Sequence, residues 1–351
     1  MQIRWRREGD GFWADYPEHR VGFAVTHLRD KSDGLQAELA VHQLEEDLAP
    51  NGYLAAPTLV NLLGPQTVPN LGRRLRTRMA DVPWDTMLET VFARTIRDWR
   101  IGDEAEDLED LVDVPARREY CLTRLLPRGE ISMVYADGGE GKSLCALTLA
   151  FALRTGATLP GGVACQGELP AVGYFDWEAN PGEHRRRLDS LKRGAGLAAH
   201  AVRGIHYLRC RRPLVEEATH LQQETTRRQL GLIIIDSVGY AAHGDIMTPA
   251  VATEMGRTLQ NFETTVLLLH HLSKEAAARE TGRVDPFGTV YWRNSIRNAW
   301  ELRGQETSDG LLQIALFHRK DNNGKLQQPV GWAYDWDEAT NALQEEEARL
   351  G

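Results

Sequence analysis

Between Ala136 and Leu144 the chain reads Ala-Asp-Gly-Gly-Glu-Gly-Lys-Ser-Leu, and here residue type and spacing most plainly allow chemistry. Gly138, Gly139 and Gly141 let successive backbone N–H groups turn to one side and form a nest for a polyphosphate. The apolar helix that follows aims its N-terminal dipole at the same anion. Lys142 would then reach the terminal phosphates, and the Ser143 hydroxyl would hold Mg²⁺. Residues Ala136, Asp137, Gly138, Gly139, Glu140, Gly141, Lys142, Ser143 and Leu144 are thus the expected nucleotide-binding set, with Ala136 where the pattern usually has glycine. A plain glycine turn is the competing reading, and the position between a strand and a helix argues against it.

Three further segments carry candidate groups. In "GLIIIDSVGY", four apolar residues form a buried strand that ends on Asp236, at the sheet edge where open α/β folds bind ligands. Asp236 would complete the Mg²⁺ site with Ser143. In "AVGYFDWEAN", alternation puts Tyr174, Asp176 and Glu178 on one face, and a carboxylate there can activate the water that attacks a γ-phosphate. Glu178 is the expected base and Asp176 the reserve; alternatively Glu178 only caps the next helix or pairs with the arginines of "HRRRL". In "TVLLLHHLSKE", a strand ends on His270-His271, either a γ-phosphate sensor or a hydrogen-bonded structural pair. Farther on, Arg293, Arg297, Arg319 and Lys320 are cations that either serve a neighbouring subunit's phosphate or are solvated surface charge.

The elements that must position these groups follow from pattern. The 351 residues, 42% hydrophobic and 26% charged, suit a soluble two-domain protein. Residues 1–110 read as a small α+β accessory domain. Alternating strands "IRWRR", "FWADY", "VGFAVTH" and "LQAELAVH" come first, and helical texture follows from Thr58. Its second helix places Leu88, Val91, Phe92, Thr95, Ile96 and Trp99 on one face. The acidic run Gly102 to Pro115 is a linker. Residues 111–351 alternate short apolar strands with helices, which predicts a mostly parallel sheet with helices on both faces and an antiparallel addition at one edge.

Composition excludes several classes. Cys121, Cys145, Cys165 and Cys210 are scattered without a CxxC pair, against a zinc site or disulfide framework. No apolar run is long enough to span a bilayer, so a cytoplasmic location and no membrane partner are expected. The net charge of −9 argues against broad coating of duplex DNA.

Taken together, "ADGGEGKS", "YFDWE" with "HRRRL", "LIIIDS", "HHLSK" and "PFGTVYWRNSIRNAWEL" with "HRKDNNG" resemble a RecA-fold P-loop ATPase. Within that fold they are similar to the RepA-type hexameric replicative helicases, AAA-type ATPases of bacteria and phages with an extra N-terminal domain. The resemblance covers Tyr120 to Trp336. It implies ATP with Mg²⁺, Glu178 as base, His271 as γ-phosphate sensor, and Arg319 or Lys320 as a finger supplied in trans within a homo-oligomeric ring or filament. It also implies that Tyr240–Pro249 and Ser273–Phe287 face single-stranded DNA. Those loops carry only Lys274, Arg279 and Arg283 as lysine or arginine, a departure from strong DNA binders.

The expected activity is Mg²⁺-ATP hydrolysis by an oligomer acting on DNA as a helicase, translocase or loader. The alternatives are a recombinase-like filament and a nucleotide-switched regulator that works through protein partners. In the N-terminal domain, Trp5, Phe12, Trp13 and Tyr16 interleave with arginines. Core packing is the favoured reading for them, with an unidentified protein partner for the domain ahead of DNA contact.

Overall fold

The structure, a computed structural model, describes residues 2–8, 11–32, 34–44, 52–102, 105, 107–109, 115, 117–272, 290–308, 310–337 and 340–345, with the side chains described as far as Asp335. The chain divides into two compact units, Met1–Val114 and Pro115–Gly351.

In the first unit, β1 (Arg4–Glu8), β2 (Gly11–Tyr16), β3 (Val21–Lys31), β4 (Gly34–Gln43) and β5 (Tyr53–Asn61) form an antiparallel meander in sequence order. Period-two alternation sends Phe12, Ala14 and Tyr16 of β2, and Val21, Phe23 and Val25 of β3, into one core. Helices α1 (Thr67–Arg76) and α2 (Trp84–Ile101) supply the other side of that core. The face expected for α2 is the one used: Leu88, Val91, Phe92 and Thr95 are buried, and Ile96 and Trp99 pack against them. Trp84 is fully buried edge-to-face on Phe23, and its indole N–H donates to the carbonyl of Met79. Phe12 and Tyr16 are buried, and Trp5 stacks on Phe12.

One expectation fails here. The chain is not helical from Thr58; β5 runs to Asn61 and α1 begins at Thr67. Pro57 suggests a break in a strand, but β5 is an edge strand, where a missing N–H need cost no ladder bond.

The second unit opens with a short pair, β6 (Tyr120–Leu122) and β7 (Leu126–Pro127). The alternating run follows: β8 (Ile131–Ala136), α3 (Lys142–Thr155), β9 (Ala171–Asp176), α4 (Pro181–Gly194), β10 (Ile205–Arg209), α5 (Leu214–Arg227) and β11 (Leu230–Asp236). After it come α6 (Val238–Ala241), α7 (Pro249–Gln260), β12 (Thr265–His271), α8 (Val290–Ser295), β13 (Asn298–Glu306), β14 (Leu311–Asp321), β15 (Val330–Asp337) and β16 (Thr340–Glu345). Nine strands form one sheet in the order β10-β9-β11-β12-β8-β13-β14-β15-β16. The six from β10 to β13 are parallel, and the last three extend the edge antiparallel.

Both faces of this sheet are covered. Val134, Tyr174, Leu232, Ile234 and Leu267 pack with α3 on one face; Met133, Phe175, Ile233, Ile235 and Leu268 pack with α5, α7 and Trp292 of α8 on the other. Burial on both faces explains why these strands read as continuous apolar runs. The fold is the α/β class expected: a mostly parallel sheet with helices on both faces, preceded by a small unit of sheet and helices. Among the described residues no helix is long and apolar enough to cross a membrane.

Candidate active site

Parallel pairing brings the chemistry together. His271 lies opposite Ala136, and Asp236 lies opposite Asp176, so β8, β9, β11 and β12 end at one edge of the sheet. The glycine loop leaves β8 there. Gly139 and Gly141 take left-handed conformations (φ +84° and +89°) that favour glycine, which turns the loop back into α3. The loop also presses on a neighbour. A Cβ on Gly304 of β13 would sit 2.5 Å from the carbonyl oxygen of Glu140, so only glycine lets β13 approach so closely.

Lys142, only 7% exposed, turns its ammonium back onto the loop and donates to the carbonyls of Ala136 (3.2 Å) and Asp137 (2.7 Å). Burial lowers its pKa; the carboxylates of Glu140, Asp236 and Glu178 act against that. Glu140 is pushed up by burial, and its Oε2 is a buried oxygen without a hydrogen-bond partner among the described residues.

Asp236 is buried at the floor of the site. The Tyr174 hydroxyl donates to its Oδ2 (2.7 Å). Burial raises its pKa, reinforced by the neighbouring carboxylates Asp176 and Glu178, while hydrogen bonds from Tyr174 and Ser143 hold it down. A hydroxyl and a crowded carboxylate side by side form an oxygen-only donor set that suits a hard cation such as Mg²⁺. Ser143 and Asp236 therefore fit the metal of a nucleotide complex, and the glycine nest with Lys142 fits its phosphates.

Glu178 stands on the turn after β9. Its Oε2 accepts from the Ser237 hydroxyl (3.0 Å) and lies 3.8 Å from Nε2 of His271. The neighbouring His271 is the largest influence on its carboxyl, and with the Ser237 hydrogen bond it holds the pKa below the ordinary glutamate value despite burial. The side chain is 43% exposed, so an ionised carboxylate faces the cleft.

Asp176, the reserve base, is not available for that role. Its Oδ1 accepts from the backbone N–H groups of Glu178 (2.8 Å) and Ala179 (2.9 Å). Its Oδ2 accepts from Tyr207 (2.8 Å) and lies 3.1 Å from His184 Nε2. Burial would raise this carboxyl, but these donors outweigh it and hold the pKa at about 2. The group is sealed and saturated; it holds the turn that carries Glu178. Asp176, His184 and Asp236 offer ligand atoms within 4.8 Å of one another, yet every Asp176 oxygen already serves hydrogen-bond donors.

Lys142, Ser143, Leu144, Glu178, Asp236 and His271 line one cleft of about 520 Å³. Sequence reasoning missed part of its wall. Glu183 and Arg187 of α4 form an ion pair on it, and Glu306, Gly310 and Leu312 close it from the β13–β14 hairpin. The four-residue spacing of Glu183 and Arg187 from a Pro181 helix start was the available signal for the first pair; the hairpin left none. His270 is buried against Trp292, its pKa lowered to about 3 by burial, and its Nδ1 lies 3.0 Å from the carbonyl of His271. It takes the structural reading, and His271 faces the cleft.

Arg319 and Lys320 are not brought to this cleft. β14 runs antiparallel to β13, so Leu312 borders the glycine loop while Lys320 pairs with Ala299, beside Met133 near the start of β8. Arg319 is bonded to Glu301 (2.6 Å), and the Lys320 ammonium to the carbonyls of Arg293 and Ile296. Lys274, Arg279, Arg283 and the segment Ser273–Phe287 lie outside the described residues.

A family model described as an AAA domain matches residues 100–277, which span the glycine loop, Glu178, Asp236 and His271. The chain belongs to this family. With the loop and cleft described above, the AAA domain makes the protein a P-loop ATPase. No curated protein matches the chain. Among solved structures, the KaiC-like protein from the hyperthermophilic archaeon Pyrococcus horikoshii is similar to 66% of this chain and 100% of its own, at 14% identity and a TM-score of 0.45.

Proposed function

We propose that this AAA domain hydrolyses Mg²⁺-ATP as an oligomeric motor on single-stranded DNA, in the manner of a RepA-type helicase, translocase or loader. The observation that carries the hydrolytic part is the convergence of Lys142, Glu178, Asp236 and His271 on one cleft. The residues Ala136 to Leu144 bind the phosphates: the loop N–H groups receive their oxygens, and the Lys142 ammonium exchanges two carbonyls for them. Mg²⁺, held by Ser143 and Asp236, would neutralise charge on the phosphates when bound.

Glu178 is the base. Its carboxylate stays ionised and takes a proton from the attacking water, while Ser237 fixes its orientation. His271, next to that carboxylate, is placed to register the γ-phosphate. In a ring or filament, the end of β14 points away from its own cleft, where a residue serving a neighbour must lie. For Arg319 or Lys320 to act in trans, the bonds to Glu301 or to the Arg293 and Ile296 carbonyls must be exchanged for a phosphate. A switch that works through protein partners is the second reading, favoured by the net charge of −9.

Mg²⁺-ATP turnover of the full chain, with and without single-stranded DNA at low salt, separates the two. A severalfold rise with DNA supports the motor. Turnover indifferent to DNA supports the switch, and absence of turnover overturns both hydrolytic readings.

A further inference from the structure

The turn from Trp177 to Asn180 has a second cleft on its other side, distinct from the nucleotide cleft. Trp177, Asn180, Arg209, Arg211 and Tyr240 line this space of about 640 Å³, at the carboxyl ends of β9 and β10. In a chain with net charge −9, the lining holds two arginines and no carboxylate. Arg209 and Arg211 are exposed, and neither makes an ion pair among the described residues. Tyr240, 63% exposed, presents an aromatic ring beside them. Trp177 is packed below, its indole N–H donating to the carbonyl of Arg212 (2.7 Å), which ties the aromatic wall to the basic segment.

We propose that this cleft docks a single strand of nucleic acid, with Arg209 and Arg211 on backbone phosphates and Tyr240 stacked on a base. The inference rests on the DNA-directed reading above and gives it a location. Tyr240–Pro249 contains neither lysine nor arginine, so that loop by itself cannot neutralise phosphates. The fold supplies the missing charge from the end of β10, about thirty residues earlier in the chain. Guanidinium groups beside an exposed aromatic ring are the combination that holds single strands without reading their sequence. An acidic polypeptide would use the arginines but leave the ring without a stacking partner.

The cleft also reaches the chemistry. Tyr240 lies on α6, and Ser237, immediately before that helix, donates to Glu178. The backbone N–H of Trp177 donates to the carbonyl of Asp236 (2.7 Å). A strand that shifts Tyr240 or Trp177 therefore bears on the residues flanking both Asp236 and Glu178.

The test is fluorescence anisotropy of an end-labelled oligothymidylate on the full chain across a salt series. It uses the double variant Arg209→Ala/Arg211→Ala, the matching double Lys variant and Tyr240→Ala. The double Ala variant should bind more weakly and lower the slope of log affinity against log salt by about 1.4, at about 0.7 per lost phosphate contact. The double Lys variant should restore the slope. Tyr240→Ala should weaken binding about 5- to 150-fold with the slope unchanged. If all variants bind as the unaltered chain does, the cleft is not the site, although DNA binding stands. If the unaltered chain ignores the oligonucleotide, both this site and the DNA reading fail. If polyglutamate binds through the two arginines in its place, the partner is an acidic polypeptide and the proposal is overturned.

Discussion

The two units of this chain bury different kinds of side chain. Among the described residues, the N-terminal unit encloses one polar side chain, Thr95, in a core of Phe12, Phe23, Trp84 and their neighbours. The second unit encloses Lys142, Asp176, His184, Asp236, His270 and Glu301 as well as its apolar core. Burying a charge is costly unless hydrogen bonds compensate it. The second unit meets that cost at the carboxyl ends of its parallel strands, with Tyr174 on Asp236 and four donors around Asp176. The contrast separates a unit whose buried side chains are almost all apolar from one whose interior is arranged around chemistry.

The sharpest break in that contrast is Lys142→Ala, expected to lower ATP turnover by more than about 10³-fold and to weaken nucleotide binding, measured by steady-state hydrolysis and by titration with a fluorescent nucleotide. Glu178→Gln comes next: turnover should fall about 10³-fold while binding persists. Normal turnover in that variant would remove Glu178 from the mechanism. In the other unit, Trp84→Ala should cost about 3 kcal/mol of stability, seen as accelerated proteolysis within residues 1–114, with hydrolysis retained. Loss of hydrolysis there would mean that the two units are energetically one.

Two smaller effects depend on pH. Asp176 has a native pKa of about 2 against an ordinary 3.8, so the native state favours its ionised form. Its contribution, about 2 kcal/mol, is fully present above pH 3.8 and lost as pH falls from there towards 2. Denaturation curves of Asp176→Asn should lack that acid-dependent segment. The smallest effect is expected from His271→Ala. His271 is the main group that holds Glu178 below its ordinary value, so its removal should raise the Glu178 pKa. Since the base must be ionised, turnover should begin to fall at a higher pH as the solution is acidified, and a pH–rate profile reads the displacement.

Much of the nucleotide cleft was legible because its parts are local. The glycine loop, Asp236 at the end of an apolar run and Glu178 two residues past β9 each carry a short-range signature, and parallel pairing then aligns them. The two faces of the large sheet were legible for a similar reason, since strands buried on both sides show unbroken apolar runs. What escaped depends on direction and distance. The sequence does not say that β14 returns antiparallel, which takes Arg319 and Lys320 to the opposite end from the glycine loop. Nor does it bring Arg209 to Tyr240. Asp176 and Glu178 look equivalent by alternation, and only the donors around Asp176 separate a sealed carboxylate from an available one.

The back-bonded ammonium of Lys142 also has a kinetic consequence. The carbonyls of Ala136 and Asp137 act as an internal competitor for the phosphate, so each incoming nucleotide must displace them and each departing one is replaced by them. Weakly held anions lose that exchange and a multidentate triphosphate wins it. The loop is thereby expected to discriminate among occupants by how many oxygens each offers in place of the two carbonyls.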